Sequence, residues 1–341
     1  MKQTASTVIL SLAALIILSI APTVAAAALG APANTATIPD PPLNPTAYAA
    51  YSGDYAYVAA GAAMRNQGYG NITINWTGTL FKAYLVWGYI DPTQISNTGT
   101  FNGVNITGAF QSTDYSPCWE NGNLSVYAAD VTSLVVNGVN NLKNFPSGLT
   151  TGENPWDYNV VAPLDEGASL IVIYTPTTAV TNQVYVYTGT YTETNGGSLT
   201  SVFDHGATIA TTATTTYIVA DGQFTGNAAG WDGVTINPSA FNGSDPRVSA
   251  AEWTDGNLWD TRTFSVPVAL SSIQDNATIS GGGDDCLTWA AQVLSFPSLA
   301  PITPPTNGVP QFGMPMVVVA VSFLGLAFLA KKRSSPASKA S

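Results

Sequence analysis

The sequence has very few of the residues on which most enzyme and metal sites depend. Among 341 residues there is one histidine, His205, and there are two cysteines. A Ser/His/Asp triad needs a histidine base, so any such site must use His205, whose neighbour Asp204 would point away from it on a strand. No Gly-x-Ser-x-Gly motif supplies a nucleophile. One histidine and two distant cysteines do not complete a four-ligand zinc site either. We therefore predict no catalytic residues.

Charge is also scarce, and it is one-sided. Charged residues make up 9% of the chain, and all twenty-one acids lie between Asp40 and Asp285. Only five of the ten basic residues fall in that same part, which gives it a formal charge of −16. A surface this acidic repels phosphate backbones, so we predict no nucleic-acid partner, and anionic lipid headgroups are disfavoured as well.

Long apolar runs occur only near the two ends of the chain. Residues 1–27 combine Lys2, an apolar stretch over 8–20 and a run of alanines, which is the pattern of a secretory signal peptide. The alternative is an uncleaved N-terminal anchor. Residues 28–46 are rich in proline and are predicted to form an extended leader.

The C-terminal end has three parts. A proline-rich spacer over 298–313 precedes the uncharged segment 314–330, and the tail 331–341 begins with Lys331, Lys332 and Arg333. Seventeen helical residues span roughly 25 Å, close to the lower limit for a bilayer core. Because the cations follow this segment, we predict a transmembrane helix with a cytoplasmic tail and an external N-terminal part. A buried core helix is the alternative.

Residues 47–297 show the patterns of strands and almost no helical periodicity. Apolar side chains repeat at every second position in Ala83, Leu85, Trp87 and Tyr89. Asn-Gly and glycine-rich segments typical of tight turns separate the strand candidates. We predict an all-β ectodomain, a large antiparallel β-sandwich, with two fused sandwiches joined near 176–182 as the alternative. The predicted strands cover 72–76, 83–90, 124–128, 169–174, 183–187, 215–220, 263–268 and 287–296.

Two covalent features fit an exported domain. Cys118 and Cys286 are the only cysteines, and outside the cell such a pair is predicted to form a disulfide; two buried free thiols are the alternative. Six Asn-X-Ser/Thr sequons predict glycosylation sites on surface turns, at Asn71, Asn75, Asn105, Asn123, Asn242 and Asn276.

Two further patterns indicate ligands. Asp284 and Asp285, followed by Asp221 and Asp232, lie in glycine- and asparagine-rich segments, where carboxylates and carbonyl oxygens could bind calcium, although no EF-hand spacing is present and solvated turn acids are the alternative. Tryptophans near several acids could stack on sugar rings, although tryptophan in a sandwich is more often core. These are Trp231, Trp253 and Trp259.

The C-terminal end resembles the archaeal sorting signals processed by archaeosortases. The segment Pro310, Gln311, Phe312, Gly313 resembles their Pro-Glu-Phe-Gly box, with glutamine in place of glutamate. The resemblance implies cleavage near the box and transfer to another surface anchor. Four further blocks resemble an uncharacterised β-rich domain of surface proteins from methanogens and related archaea, which implies a cell-surface location and an adhesin-like or structural role. They begin at Phe81, Tyr127, Gly167 and Gly283.

Together these features predict an exported, membrane-anchored archaeal cell-surface protein with a non-catalytic structural or adhesin-like role. Its expected partners are the membrane, cell-envelope proteins, glycans or copies of itself. One alternative is a surface protein that binds or cleaves polysaccharides. Another is a filament subunit whose leader adds a strand to a neighbouring copy.

Overall fold

The computed structural model describes residues 44–93, 97–116, 122–152, 161–193, 196–222, 226–241, 258–282 and 286–297. These residues form eighteen β-strands and no helix. The strands are β1 Ala47–Gly53, β2 Ala56–Ala63, β3 Gly70–Ile74, β4 Gly78–Asp91, β5 Thr98–Phe101, β6 Val104–Thr107, β7 Ala109–Tyr115, β8 Asn123–Asp130, β9 Gly138–Lys143, β10 Leu164–Pro176, β11 Asn182–Thr192, β12 Ser198–Asp204, β13 Thr212–Ala220, β14 Ala228–Trp231, β15 Val234–Asn237, β16 Trp259–Pro267, β17 Gln274–Ser280 and β18 Thr288–Pro297.

The strands form four antiparallel sheets. The first inner sheet has the order β2-β10-β4-β8-β7, and the second inner sheet has the order β1-β11-β18-β13-β16. The first outer sheet is β3-β9-β5-β6, and the second outer sheet is β12-β17-β14-β15. The prediction of an all-β, antiparallel, sandwich-like domain is therefore confirmed.

Three hydrophobic clusters lie between successive sheets. One joins the first outer and first inner sheets through residues such as Ile72 and Leu85. The second joins the two inner sheets through Val86 and Val184, among others. The third joins the second inner and second outer sheets, where Tyr217 and Phe203 are buried. The two inner sheets are consequently covered on both faces.

Burial explains the two kinds of strand in the sequence. The inner strands β4, β10 and β18 are buried at nearly every position over long stretches, because both of their faces meet a core. The outer strands β12 and β17 alternate between buried and exposed or half-buried positions, because one face meets solvent. All eight predicted strand segments overlap observed strands, and the missed strands are mainly short or belong to the outer sheets.

The order of the strands along the chain almost matches their division between the two pairs of sheets. Strands β2 to β10 build the first outer and inner sheets, and β11 to β18 build the second pair; the segment 177–181 connects the two sets. Strand β1 is the exception, because it pairs with β11 in the second inner sheet. The fold therefore consists of two sandwiches that share a central core. The N-terminal strand β1 precedes the first set of strands in the chain but belongs to the second inner sheet.

The predicted signal peptide, most of the leader, the spacer, the transmembrane segment and the basic tail lie outside the described residues. Within the described ranges, no helix is long and apolar enough to cross a membrane.

Candidate functional site

Two of the three tryptophans predicted to stack on sugars lie in the core. Trp231 and Trp259 are both fully buried. Trp231 ends β14 and packs in the cluster between the second inner and outer sheets, and the Trp259 indole N–H donates to Ser169 Oγ at 2.7 Å. Neither indole can reach a ligand at the surface, because core packing covers both of its faces. Trp253 lies outside the described residues.

Asp221, a predicted calcium ligand, belongs to a buried group of charges. It accepts a hydrogen bond from Arg65 Nη2 at 3.3 Å, and the same guanidinium pairs with Glu166. Arg65 follows β2, Glu166 lies in β10 and Asp221 follows β13, so this group ties the two inner sheets together. Asp165, which precedes Glu166 in the chain, is fully buried, and neither of its carboxyl oxygens has a hydrogen-bond partner among the described residues.

Burial sets the protonation of the two adjacent acids. Desolvation raises the pKa of Asp165 well above its usual range, the Glu166 charge raises it further, and Arg65 opposes the shift. Desolvation also raises the pKa of Glu166, although the Arg65 guanidinium works in the opposite direction. Because a charge without a partner is costly in the interior, burial favours the protonated form of Asp165, whereas the Arg65 guanidinium favours the charged form of Glu166.

Asp232, the other described calcium candidate, belongs to a second group of titratable side chains. Its Oδ1 accepts a hydrogen bond from the Asn276 backbone N–H at 2.8 Å. Partial burial raises the pKa of Asp232, and the charge and hydrogen bond of Asp275 add to this effect. Asp275 Oδ2 in turn lies 2.9 Å from His205 Nε2. Asp221 and Asp232 therefore contact different groups.

His205 is held inside the domain. Its Nδ1 donates to the Gly206 carbonyl at 2.8 Å, and its ring packs edge-on against Phe296 at a centroid distance of 4.9 Å. The side chain is fully buried. His205 is therefore packed against Phe296 and paired with Asp275.

No group of three or more histidine, cysteine, aspartate or glutamate side chains in the described part of the chain is arranged to hold a metal ion. Asp284 and Asp285 lie outside the described residues, so calcium binding there stays a prediction.

The cysteine and sequon predictions are also partly outside the described residues. Cys286 is fully buried, and the described part contains no free cysteine, whereas Cys118 is not described; the bridge stays a prediction. Among the five described sequon asparagines, Asn276 is half-buried and the other four are exposed: Asn71, Asn75, Asn105 and Asn123. Asn242 is not described.

An open groove of about 460 Å³ lies where β2 and β9 end. One wall is the segment Gln67, Gly68, Tyr69, which follows β2. The opposite wall contains Lys143, the last residue of β9, and Asn144. The groove is lined as well by Phe145 and Thr150. It therefore combines two aromatic side chains, a cation, two amides and two hydroxyls.

Local backbone bonds hold the two walls together. The Gly68 N–H donates to the Met64 carbonyl at 3.1 Å, and the Phe145 N–H donates to the Gly68 carbonyl at 3.0 Å. Gly68 has φ +65°, and a Cβ at this position would lie 2.7 Å from the Phe145 carbonyl oxygen. Only glycine permits this close approach, so the residue fixes the width of the groove. Phe145 itself is 3% exposed and packs edge-on against Trp87.

Sequence reasoning missed this groove. Lys143 is one of the five basic residues in the acidic part of the chain, and no motif around it or around Tyr69 predicts a site. An aromatic residue between Gly68 and Gly70 was a usable signal, because glycines on both sides reduce the packing around a ring. The pairing of the two walls, however, joins residues about seventy-five positions apart, and no local pattern indicates it.

No known family model matches the chain, and no curated protein matches it. Among solved structures, wild-type BuGH86 in complex with neoagarooctaose is 8% identical, with 72% of this chain and 32% of that chain covered and a TM-score of 0.22. PNGF-II is 9% identical, with coverage of 72% and 66% and a TM-score of 0.26. The VP2 subviral particle of infectious bursal disease virus is 12% identical, with coverage of 86% and 90% and a TM-score of 0.19.

The chain spans about a third of the length of the first of these structures. TM-scores of this size do not establish a common fold, so no activity or ligand is carried over from these proteins.

Proposed function

We propose that this chain is an exported, membrane-anchored surface protein of an archaeal cell, with a non-catalytic structural or adhesin-like role. The observation that supports the proposal best is the exposure of the asparagine at four of the five described sequons. Three of these asparagines belong to one region, since Asn71 and Asn105 lie in strands of the first outer sheet and Asn75 directly follows β3. Glycans there would cover that sheet without disturbing the core.

The sequence of the two ends supports the same proposal. An apolar segment over 314–330 with cations on its C-terminal side is typical of an anchor with an external N-terminal domain. The box Pro310, Gln311, Phe312, Gly313 would direct cleavage and transfer to another anchor. A disulfide between Cys118 and Cys286 would suit the oxidising exterior of the cell.

The chain offers lysines on both sides of the proposed membrane, which permits a direct test. A membrane-impermeant amine-reactive biotin, applied to intact cells, should label Lys143, which is exposed. Lys331 and Lys332 should be labelled only after lysis. Peptides from a known cytoplasmic protein serve as the control for intact membranes. Labelling of Lys143 only in lysed cells would contradict the proposed location.

Mass spectrometry of the same sample tests two finer points. Loss of the peptides that contain Lys331 and Lys332, with Lys143 still labelled, supports cleavage at the box. Glycopeptides should include Asn71, Asn75, Asn105 and Asn123. Occupancy at Asn276 should be lower, because its side chain is half-buried and its backbone N–H is bonded to Asp232.

A further inference from the structure

We infer that the groove between Tyr69 and Lys143 binds a saccharide that carries a carboxylate group, such as a uronic-acid oligosaccharide. The inference rests on the proposed function, because it names the class of ligand that an adhesin-like surface protein would hold. It replaces the predicted tryptophan site, of which Trp231 and Trp259 are buried.

The cation gives the groove its charge preference. Among the described basic residues, Arg65 is paired with Glu166 and Asp221, Lys82 with Asp130, and Arg262 with Asp260. Lys143 is exposed and has no carboxylate within 4.0 Å among the described residues. The Lys143 ammonium therefore attracts a carboxylate at short range. This local attraction acts against the longer-range repulsion from the formal charge of −16, which salt screens.

The aromatic ring gives the groove its preference for sugar rings. Tyr69 is 48% exposed, so a large part of its ring is open to a ligand. The C–H faces of a pyranose pack on an aromatic ring, while its hydroxyls require donors and acceptors beside that ring. Gln67, Asn144 and Thr150 supply amide and hydroxyl groups around the same groove. A simple anion would use only Lys143 and would leave these groups without a role.

The groove is preformed to a large extent. The Gly68 and Phe145 backbones are bonded to each other, and Asn144 Nδ2 donates to Thr100 Oγ1 at 3.1 Å. A rigid site loses less conformational entropy when a ligand binds. Its volume of about 460 Å³ lies within the range of about 300–1,000 Å³ that is usual for small-molecule sites.

The test measures binding to the full chain in detergent micelles by isothermal titration calorimetry. The probes are an oligogalacturonate, the neutral galactose oligosaccharide of the same linkage and length, and the galacturonate monomer. We expect the oligogalacturonate to bind more tightly than either of the other two probes. Raising the ionic strength should weaken its binding more than that of the neutral oligosaccharide, because a surface charge pair is screened by salt.

Two variants separate the contributions of the two walls. Lys143→Gln should weaken oligogalacturonate binding about two- to fivefold and abolish the preference for the acidic over the neutral probe. Tyr69→Ala should weaken both oligosaccharides by a similar factor. The matched controls are Lys82→Gln, which changes a lysine already paired with Asp130, and Tyr115→Ala, which removes a 58% exposed tyrosine on β7. Neither control should change binding.

Four results would overturn the inference. They are no binding of either oligosaccharide, equal binding of the acidic and neutral probes, equal binding of the monomer, and wild-type affinity in the Lys143→Gln variant. Equal thermal unfolding of all variants confirms that they are folded. The biotin-labelling experiment on cells does not depend on the groove, so a failure here leaves the proposed location standing.

Discussion

At the scale of single residues, Asp165 is the most informative acid of the domain. It is fully buried at the start of β10, beside the Arg65–Glu166 ion pair, and neither of its carboxyl oxygens has a hydrogen-bond partner among the described residues. A carboxyl group in this position is tolerated because it remains protonated, and its cost rises as the solution pH favours ionisation. The residue therefore links the stability of the domain to pH.

The stability contributed by Asp165 decreases as the pH rises. The folded-state pKa of Asp165 is raised, so the folded chain holds this proton at pH values where the unfolded chain has lost it. The contribution of Asp165 to stability is thus fully present below about pH 3.8, falls as the pH rises from there toward the raised folded-state pKa, and is constant above it. At neutral pH the ionisable carboxyl of Asp165 therefore lowers the free energy of unfolding.

Asp165→Asn should therefore stabilise the domain at pH 7 by about 1 kcal/mol or more, because the amide removes the cost of protonating, on folding, a carboxyl that is ionised in the unfolded chain. The variant should also lose part of the decline in stability above pH 4. The measurement is urea unfolding of wild type and variant at pH 4.5 and pH 7.5. Asp54→Asn is the control, since Asp54 is exposed and the amide keeps the acceptor for Thr181. Equal pH dependence of Asp165→Asn and wild type would show that the carboxyl is not protonated in the folded state.

At the scale of elements, the bulge in β10 brings the backbone of the first inner sheet directly against a side chain of the second. The pairing register between β10 and β4 shifts between Asp165 and Gly167. A Cβ on Gly167 would lie 2.5 Å from the Ala62 carbonyl oxygen of β2 and 2.6 Å from the Trp259 Cβ of β16. Glycine is therefore required for contact between three strands from both inner sheets.

Gly167→Ala should destabilise the domain by about 2 kcal/mol, because neither a carbonyl oxygen nor a buried tryptophan can move away cheaply. The midpoint of urea unfolding is the measurement. Gly103→Ala provides the comparison: Gly103 has φ +83°, but no atom lies within 4 Å of its added Cβ. A loss at Gly167 no larger than that at Gly103 would mean that backbone conformation, and not the contact between sheets, decides the cost.

Strands of the inner sheets were easier to predict from the sequence than strands of the outer sheets. The prediction of a strand over 83–90 depends on apolar side chains at every second position from Ala83 to Tyr89, and the segment lies inside β4. Its remaining positions are also buried, since β4 belongs to an inner sheet. By contrast, β12 has serine and threonine at several positions and was missed, because a strand with one polar face and seven residues differs little from a polar loop.

At the scale of the whole β-domain, β1 joins the two sandwiches, because it pairs with a strand of the second sandwich. Ala50 of β1 pairs with Tyr185 of β11, although β2 to β10 build the other sandwich. The cluster between the inner sheets contains residues from both halves, such as Val86 and Val184. Separation of the halves would expose two apolar sheet faces to water.

We therefore expect the two halves to remain associated after the connection is cut. A protease site inserted between Thr178 and Ala179, in the exposed segment 177–181, should be cleaved without loss of structure. The two fragments should elute together in gel filtration under reducing conditions, which remove any contribution from a Cys118–Cys286 bridge, and separate only in denaturant. Elution as two separate folded fragments in native buffer would contradict a shared core.

The sequence by itself determined the class of the fold and the distribution of charge, because strand periodicity and residue counts are local properties. The tertiary structure decided which residues are available to ligands. Trp231 and Trp259 were predicted to bind sugars but lie in the core, because burying a large apolar ring contributes most to the free energy of folding. Tyr69 and Lys143 meet across a groove only because Gly68 lets two distant segments approach. Such contacts depend on pairing between distant parts of the chain, which no local pattern contains.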